Sequence, residues 1–195
     1  LFDRGVLPGD EFKFIEVSES DLIATHIGET AVQTQAILEK AKGGILFIDE
    51  AYTLNKGKSS QHNFGLEAIN TILKYMEDYR NEIMIIFAGY TKEMEQFFET
   101  NPGLKSRVPN TFFFEDYSGD EIVEMGLKNL QKSSYQLEDE AYYAMRVKQA
   151  YSRSLDHSNG RWIRNFNEHL MRALANRVVE TQVDDYVTII NDDID

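Results

Sequence analysis

The sequence predicts an α/β fold with a parallel sheet, followed by a smaller, mostly helical domain. Two continuous apolar runs, "ILFID" (45–49) and "IMIIFAG" (83–89), are typical of strands buried on both faces of a parallel sheet. A segment with helical spacing lies between them, and helical patterns alone fill most of the last third of the chain. We therefore expect a boundary near Tyr117, between an α/β domain at 1–116 and a helical domain at 117–195.

The first elements follow from alternation and helical spacing. "LFDRGVLPGD" (1–10) reads as the end of a helix, and the alternating, β-rich stretch "FKFIEV" (12–17) predicts a strand. After a connection over 18–28, the sequence predicts a helix over 29–42 that ends at Gly43 and Gly44. Its inner side carries Ala31, Ile37, Leu38 and Ala41.

A polar loop and a longer helix separate the two apolar runs. The helix is predicted over 65–79, and the run at 83–89 predicts a second fully buried strand. The inner stripe of the helix consists of Leu66, Ile69, Ile72, Leu73 and Met76.

Three further segments complete the α/β part. "TKEMEQFFET" (91–100) predicts a short helix with Thr91 as its N-cap. "NPGLKSRVPN" (101–110) predicts a loop, and "TFFFE" (111–115) predicts another strand.

The helical part begins with a clear capping signal. Ser118 and Glu121 form a capping box ahead of an apolar stripe, and further helices are predicted at about 138–152 and 161–180. The stretch "DYVTII" near the end of the chain predicts one short strand.

Composition excludes several classes of protein. None of the 195 residues is cysteine, so disulfides and thiolate metal sites are impossible within this sequence. The formal charge of −13 argues against nucleic acid as the main partner, although four arginines lie between 161 and 177. No apolar run approaches the ~20 residues that span a bilayer, and no signal-peptide pattern occurs. We expect a cytoplasmic protein with neither a membrane nor a nucleic-acid partner.

One glycine-lysine-serine sequence imitates a phosphate-binding loop. Such a loop needs a glycine five positions before the Gly-Lys-Ser/Thr, because that glycine starts the turn whose N–H groups face the phosphates. Gly57, Lys58 and Ser59 fit the end of the pattern, but the required position holds Tyr52. We therefore interpret this stretch as an ordinary loop.

The strand end "ILFIDE" is a better candidate for nucleotide chemistry. It places Asp49 at the carboxyl end of a buried strand, where open α/β sheets bind ligands. There Asp49 can hold a water of a nucleotide-bound Mg²⁺, while Glu50 polarises the water that attacks the γ-phosphate. The alternative is that both carboxylates only cap the strand end or the next turn.

Four stretches in this order and spacing resemble the CbxX/CfxQ branch of the AAA+ ATPases. They are "EVSESDLIATHIGETAVQT" (16–34), "FIDEAYTL" (47–54), "IIFAGYTKEMEQFFETNPGLKSRV" (85–108) and "SNGRWIRN" (158–165). That branch includes red-type Rubisco activases and stage V sporulation protein K-like proteins. The resemblance implies a P-loop NTPase-type parallel sheet followed by a helical lid domain.

The resemblance also implies that a first strand and a Walker A loop precede this sequence in the parent protein. No Walker A loop occurs in the sequence. The chain is thus expected to be a fragment that neither binds ATP tightly nor hydrolyses it.

The roles of five charged residues follow from the resemblance. Asp49 is expected to be the Walker B residue on the magnesium side, and Glu50 the catalytic base. Arg107 matches the arginine finger of a neighbouring subunit's site; its alternative is packing beside a strand. Arg161 matches sensor 2, a lid arginine that touches the γ-phosphate; its alternative is a solvated helix N-terminus. Arg164 either shares that role or braces the lid.

Two positions depart from the wider family. Tyr90 stands where many members carry a polar sensor 1 residue, so it either orients water or only packs. His26, Ile27 and Gly28 occupy the central pore loop, where the family usually has an aromatic residue that grips a polypeptide. His26 predicts a weaker or pH-sensitive grip, unless this is only a loop before a helix. If 26–28 is a pore loop, Lys56 and Lys58 are expected on a second pore-facing loop; the alternative is that they belong to an ordinary solvated loop.

We therefore expect an ATP- and Mg²⁺-dependent motor that remodels a partner protein. Its subunits are expected to form a homo-oligomeric, hexameric ring, whose pore loops pull on or loosen the partner. The alternative from another class is a nucleotide-gated or inactive assembly scaffold. A DNA-acting protein such as a loader ranks lower, because of the net negative charge.

Overall fold

The computed structural model describes residues 13–55 and 64–195. The chain divides into two compact units, Leu1–Phe113 and Phe114–Asp195. The expected helix end at 1–10 and the loop that contains Lys56, Gly57, Lys58 and Ser59 lie outside the described residues.

A three-stranded parallel sheet organises the first unit. Its strands are β1 (Phe14–Val17), β2 (Ile45–Ile48) and β3 (Met84–Phe87), and β2 lies in the middle. Val17 pairs with Ile48, which pairs with Phe87. All three strands therefore end at one edge of the sheet, as the parallel arrangement predicted from the apolar runs requires.

Helices lie between successive strands in the chain, as the crossover connections of a parallel sheet require. The short α1 (Glu19–Leu22) and α2 (Thr30–Ala41) join β1 to β2, and α3 (Phe64–Asp78) precedes β3. A 3₁₀ segment, Ala51–Asn55, begins the polar loop after β2, so neither that loop nor the connection after β1 is wholly irregular. The core between sheet and helices is built from fully buried side chains, which include Leu22, Leu38, Leu46, Ile48, Ile69, Ile72, Phe97 and Leu104.

Two predictions about burial are wrong in detail. β3 is only partly buried, and Ile86 is 36% exposed, because β3 is an edge strand of the described sheet. In α3, Leu66 is 44% exposed while Tyr75 is buried, so the inner stripe is rotated from the predicted one. Ile69 and Ile72 are buried as predicted. The predicted stripe contained only aliphatic side chains and Met76, whereas Tyr75, an aromatic residue with a polar hydroxyl, also lies on the buried side.

The segment after β3 contains more helix than predicted. α4 (Thr91–Thr100) is confirmed, but its N-cap is Tyr90, so Thr91 is the first helical residue rather than the cap. The predicted loop at 101–110 contains α5 (Pro102–Arg107). Pro102 stands in the first turn of α5, where its missing N–H is tolerated.

The predicted strand at 111–115 does not form. Phe112, Phe113 and Phe114 are 81%, 68% and 96% exposed, and the described residues offer this stretch no strand partner. The stretch is rich in residues that favour strands, but a strand forms only when its N–H and C=O groups pair with those of a neighbouring strand.

The second unit is a helical bundle with a very small sheet. α6 (Gly119–Lys132), α7 (Glu140–Arg153) and α8 (Gly160–Thr181) pack around buried side chains, and α9 (Asn191–Ile194) follows. Two short parallel strands, β4 (Gln136–Leu137) and β5 (Thr188–Ile189), pair at one side, which confirms the short strand near the end of the chain. No helix within 13–55 or 64–195 is both long and apolar enough to cross a bilayer.

The capping box that starts α6 is confirmed. The Ser118 hydroxyl accepts from the Glu121 N–H, and the Glu121 carboxylate accepts from the Ser118 N–H at 2.8 Å. The Ser118 N–H and the Ser118 hydroxyl both donate to the Glu121 carboxylate, and these two bonds lower the pKa of its carboxyl group.

Candidate functional site

Asp49 and Glu50 lie directly after the central strand, at the edge where all three strands end. Both residues are exposed, although the strand before them is buried. The Asp49 N–H donates to the Val17 carbonyl at 2.9 Å, which extends the pairing with β1 by one residue. The Asp49 Oδ1 accepts from the Glu50 N–H at 3.0 Å. Two carboxylates are therefore presented to solvent on a rigid support.

The backbone at Glu50 is held in an unusual conformation. Its φ is 47°, in the left-handed region that a non-glycine residue seldom adopts. Bonds on both sides hold this turn, because the Ala51 N–H donates to the Ala88 carbonyl at 3.0 Å and the Thr53 N–H and hydroxyl both donate to the Glu50 carbonyl. Strain of this kind persists only where the surroundings enforce it, and it is common at functional sites.

Two tyrosines flank this turn. The rings of Tyr52 and Tyr90 lie 6.4 Å apart, and Tyr90 is 65% exposed. Gly89 permits the approach, because a Cβ there would lie 2.7 Å from the Tyr52 ring. Burial raises the pKa of the Tyr52 hydroxyl, and the charge and hydrogen bond of Glu50 raise it further. Tyr90 thus comes within reach of the same edge as the two carboxylates.

A cavity of about 540 Å³ extends from these rings along α4. Its walls come from the 3₁₀ segment and from α4, and they include Tyr52, Asn55, Tyr90, Glu93, Gln96, Phe97 and Thr100. Asn55 fixes its far end, since its amide donates to the Thr100 hydroxyl at 2.6 Å and its Oδ1 accepts from Asn101 at 3.0 Å.

The residues at this edge fit a magnesium ion that is held mainly by a nucleotide. Three or more His, Cys, Asp or Glu side chains that could together bind a metal are not found in the described part of the chain. Asp49 nevertheless keeps an exposed carboxylate whose Oδ2 has no partner among the described residues. Mg²⁺ in nucleotide sites is bound by one or two carboxylates, waters and phosphate oxygens, which is what a single free carboxylate suits.

Arg107 lies at the end of α5, on the surface of the first unit. Its side chain is 37% exposed, and its Nε lies 3.4 Å from the Glu77 Oε2. Its Nη1 donates to the Gly103 carbonyl at 3.2 Å. The guanidinium is thus accessible, and its ion pair is of the weak, exposed kind.

Topology places Arg107 away from its own chain's carboxylates. Glu77 lies in the last turn of α3, the helix that leads back to the start of β3. At that end the Gly43 N–H donates to the Glu82 carbonyl. Asp49 and Glu50 follow the opposite ends of the strands. For strands of this length, the two ends are about 13 Å apart.

The predicted pore loop is an exposed tip between α1 and α2. His26, Ile27 and Gly28 are all exposed, with Ile27 at 68%, and Gly28 has a φ of 83°. The base of the loop is held firmly, because the Ala24 N–H donates to the Thr30 hydroxyl at 3.2 Å. An apolar side chain is thereby displayed on a braced support.

Arg161 and Arg164 lie in the first turns of α8, in the helical unit. Both are exposed, and neither forms an ion pair or side-chain hydrogen bond with the residues that the structure describes. Cations near a helix N-terminus are unfavourable to the helix dipole. Their positions are therefore not explained by helix stability.

Sequence reasoning missed two residues of these sites. Tyr52 adjoins Glu50, and Asn159 forms three side-chain hydrogen bonds just before Arg161. The signal for Asn159 was present, because Asn-Gly is a strong turn sequence. Tyr52 had no local signal, since its contact with Tyr90 joins distant parts of the chain.

Comparison with known proteins defines the class. Residues 6–116 match the family described as "ATPase family associated with various cellular activities (AAA)", and residues 118–195 match the AAA lid domain. The chain belongs to the AAA ATPase family.

Its relatives place it within that family more closely. It is 41% identical over 184 residues to stage V sporulation protein K of Bacillus subtilis (strain 168), covering 92% of this chain and 56% of that protein. It is 38% identical over 191 residues to a CfxQ homologue of Galdieria sulphuraria, covering 92% and 61%. These similarities confirm the CbxX/CfxQ branch, although the chain spans little more than half the length of these relatives.

The fold also resembles that of a solved structure. The FIGL-1 AAA domain in complex with ADP superimposes with a TM-score of 0.65 at 15% identity, covering 92% of this chain and 59% of that one. At this identity the similarity concerns the fold alone.

Proposed function

We propose that the protein is an ATP-hydrolysing remodeller that acts on a partner protein. The observation that carries the proposal is the exposed Asp49–Glu50 pair at the carboxyl end of the central strand. Open α/β sheets bind their ligands at this edge. The family supports nucleotide hydrolysis, and a scaffold that never turns over ATP has no chemical need for both carboxylates.

The two carboxylates would divide the chemistry. Asp49 would orient Mg²⁺ through a water, and Glu50 would accept the proton of the attacking water. Bound Mg²⁺ supplies charge neutralisation at the phosphate oxygens. Tyr90 is accessible beside this pair and would orient the same water through its hydroxyl.

Arg107 would act in a neighbouring subunit. Its accessibility and its place near the opposite end of the sheet from its own Asp49 support a role in trans. Its weak pairing with Glu77 leaves it available to a more strongly charged phosphate. Such a site requires a homo-oligomer, and by resemblance we propose a hexameric ring.

The remaining residues would couple hydrolysis to work on the partner. Arg161, with Arg164 beside it, would sense the γ-phosphate from the lid at 117–195, and the loop at 26–28 would contact an extended polypeptide. The exposure of Ile27 supports this, because an apolar tip grips without regard to sequence. Similar proteins include a ribulose bisphosphate carboxylase/oxygenase activase, which supports a protein as the partner.

Glu50→Gln in the full-length gene product tests the proposal. ATP binding should persist, because the amide keeps the shape of the carboxylate, while turnover should fall by about 10²-fold or more. Radiolabelled ATP binding and steady-state phosphate release measure the two effects. Glu99→Gln, on the exposed side of α4, is the matched control and should leave both unchanged. Turnover that persists in Glu50→Gln would remove Glu50 as the base, and a wild type without turnover would favour the scaffold.

A further inference from the structure

The chain forms a tight turn over residues 158–161, which overlaps the start of α8. The Arg161 N–H donates to the Ser158 carbonyl at 3.1 Å, which closes the turn. Asn159 has φ 55° and ψ −113°, the values of the first central residue of a type II′ turn. Glycine usually fills that position. Here the glycine is the next residue, Gly160, where a Cβ would meet nothing within 4 Å, so space does not require glycine there.

Three side-chain hydrogen bonds hold Asn159 in this strained conformation. Its Oδ1 accepts from the Tyr117 N–H at 3.0 Å and from the Tyr151 hydroxyl at 2.9 Å. Its Nδ2 donates to the Asp116 Oδ1 at 2.8 Å. A single amide thus joins the segment Asp116–Tyr117, the end of α7 and the start of α8.

The surroundings of this amide are packed. Tyr151 is 6% exposed, and its ring lies 4.9 Å from that of Trp162. Trp162 in turn stacks on Phe166 with an interplanar angle of 19°. Burial raises the pKa of the Tyr151 hydroxyl, and the negative charge of Asp116 raises it further, so this hydroxyl stays a donor to Asn159 at physiological pH.

We propose that Asn159 is a positioning residue that fixes the backbone of Arg161 relative to Asp116–Tyr117. Tyr117 is the residue between the family matches at 6–116 and 118–195, so this segment joins the two domains in sequence. Because Arg161 closes the same turn that Asn159 holds, a displacement of this segment is transmitted to Arg161 through one side chain. The inference rests on the proposed role of Arg161 as a nucleotide sensor.

A polarity exchange tests the contact in the full-length gene product. Asn159→Asp keeps the acceptor for Tyr117 and Tyr151 but sets a carboxylate against that of Asp116. We expect ATP affinity to fall about ten-fold, since hydrogen bonds that involve a charged group are worth that order. Asp116→Asn alone should change little, because its amide oxygen still accepts. The double variant Asp116→Asn with Asn159→Asp should recover the affinity, because the donor and acceptor have exchanged places.

A double-mutant cycle separates positioning from a merely structural role. If Asn159 acts through Arg161, Asn159→Asp should weaken ATP binding no further in an Arg161→Ala background. The fluorescence of Trp162, identified by comparison with a Trp162→Phe control, reports on the turn without nucleotide: its emission should shift in Asn159→Asp and return in the double variant.

The outcomes distinguish this inference from the proposed function. Loss of affinity in Arg161→Ala but none in Asn159→Asp would overturn the positioning role and leave the sensor intact. An Asn159→Asp variant that fails to fold, with no recovery in the double variant, would also overturn it. Unchanged ATP affinity in Arg161→Ala of an active ATPase would instead refute the sensor.

Discussion

Glu50 and Asn159 are both non-glycine residues with positive φ, at 47° and 55°, and each lies in a candidate nucleotide element. They are held in different ways. Backbone and neighbouring groups hold the turn at Glu50, whereas the side chain of Asn159 makes three hydrogen bonds of its own. The Glu50 side chain is thereby available for chemistry, while that of Asn159 is used for structure. Substitution by glycine, which removes the strain at both positions, should therefore have opposite effects.

Asn159→Gly should produce the larger effect. It removes three hydrogen bonds of about 1 kcal/mol each, and it relieves backbone strain of about 1 kcal/mol. The free energy of unfolding of the helical unit should therefore fall by about 2 kcal/mol. Denaturant titration followed by Trp162 fluorescence measures this. An increase in stability would mean that the hydrogen bonds contribute nothing and that strain alone distinguishes the turn.

Glu50→Gly should stabilise the full-length gene product while abolishing its turnover of ATP. Relief of the positive φ is worth about 1 kcal/mol. The hydrogen bonds made by the backbone of Glu50 remain, and only the bond between its exposed carboxylate and Tyr52 is lost. Thermal unfolding followed by circular dichroism, together with phosphate release, measures both properties. A clear loss of stability would show that the Glu50 side chain also supports the fold and would weaken the contrast with Asn159.

A smaller effect concerns the pH dependence of the capping box at α6. The pKa of Glu121 is lowered in the folded state, so its stabilising contribution is complete above its ordinary value near 4.5 and is lost as pH falls through the lowered value. Glu121→Gln accepts the same hydrogen bond without a charge and should reduce this acid sensitivity. Unfolding midpoints between about pH 3 and 6 measure the difference. Identical pH profiles for the variant and the wild type would contradict the assignment.

The sequence predicted the parts of the fold that local patterns determine. The three strands, α2, α3 and α4 follow from apolar periodicity, and α6 from the Ser118–Glu121 spacing. The stretch 111–115 was predicted wrongly, because a strand depends on a partner that local composition does not reveal. α5 was missed because the stretch 101–110 was predicted as a loop, although a proline such as Pro102 is tolerated in the first turn of a helix.

In the candidate site too, local patterns predicted some residues, while other features depend on contacts between distant parts of the chain. Asp49 and Glu50 were found because a buried strand in a parallel sheet presents the residues that follow it. The positive φ at Glu50, the contact between Tyr52 and Tyr90, and the bonds of Asn159 depend on contacts across the fold. No local window of the sequence contains both partners of such contacts, so periodicity and spacing could not predict them.

Mixing of two inactive variants tests most directly whether adjoining protomers build the site together. Glu50→Gln and Arg107→Ala of the full-length gene product should each lack turnover alone. In mixed assemblies, an intact Glu50 of one protomer meets an intact Arg107 of its neighbour at about a quarter of the interfaces if subunits assort randomly. Phosphate release should therefore reappear on mixing, toward about a quarter of the wild-type rate. If mixed assemblies form and remain as inactive as either variant alone, Glu50 and Arg107 do not meet across an interface, and the shared site is wrong.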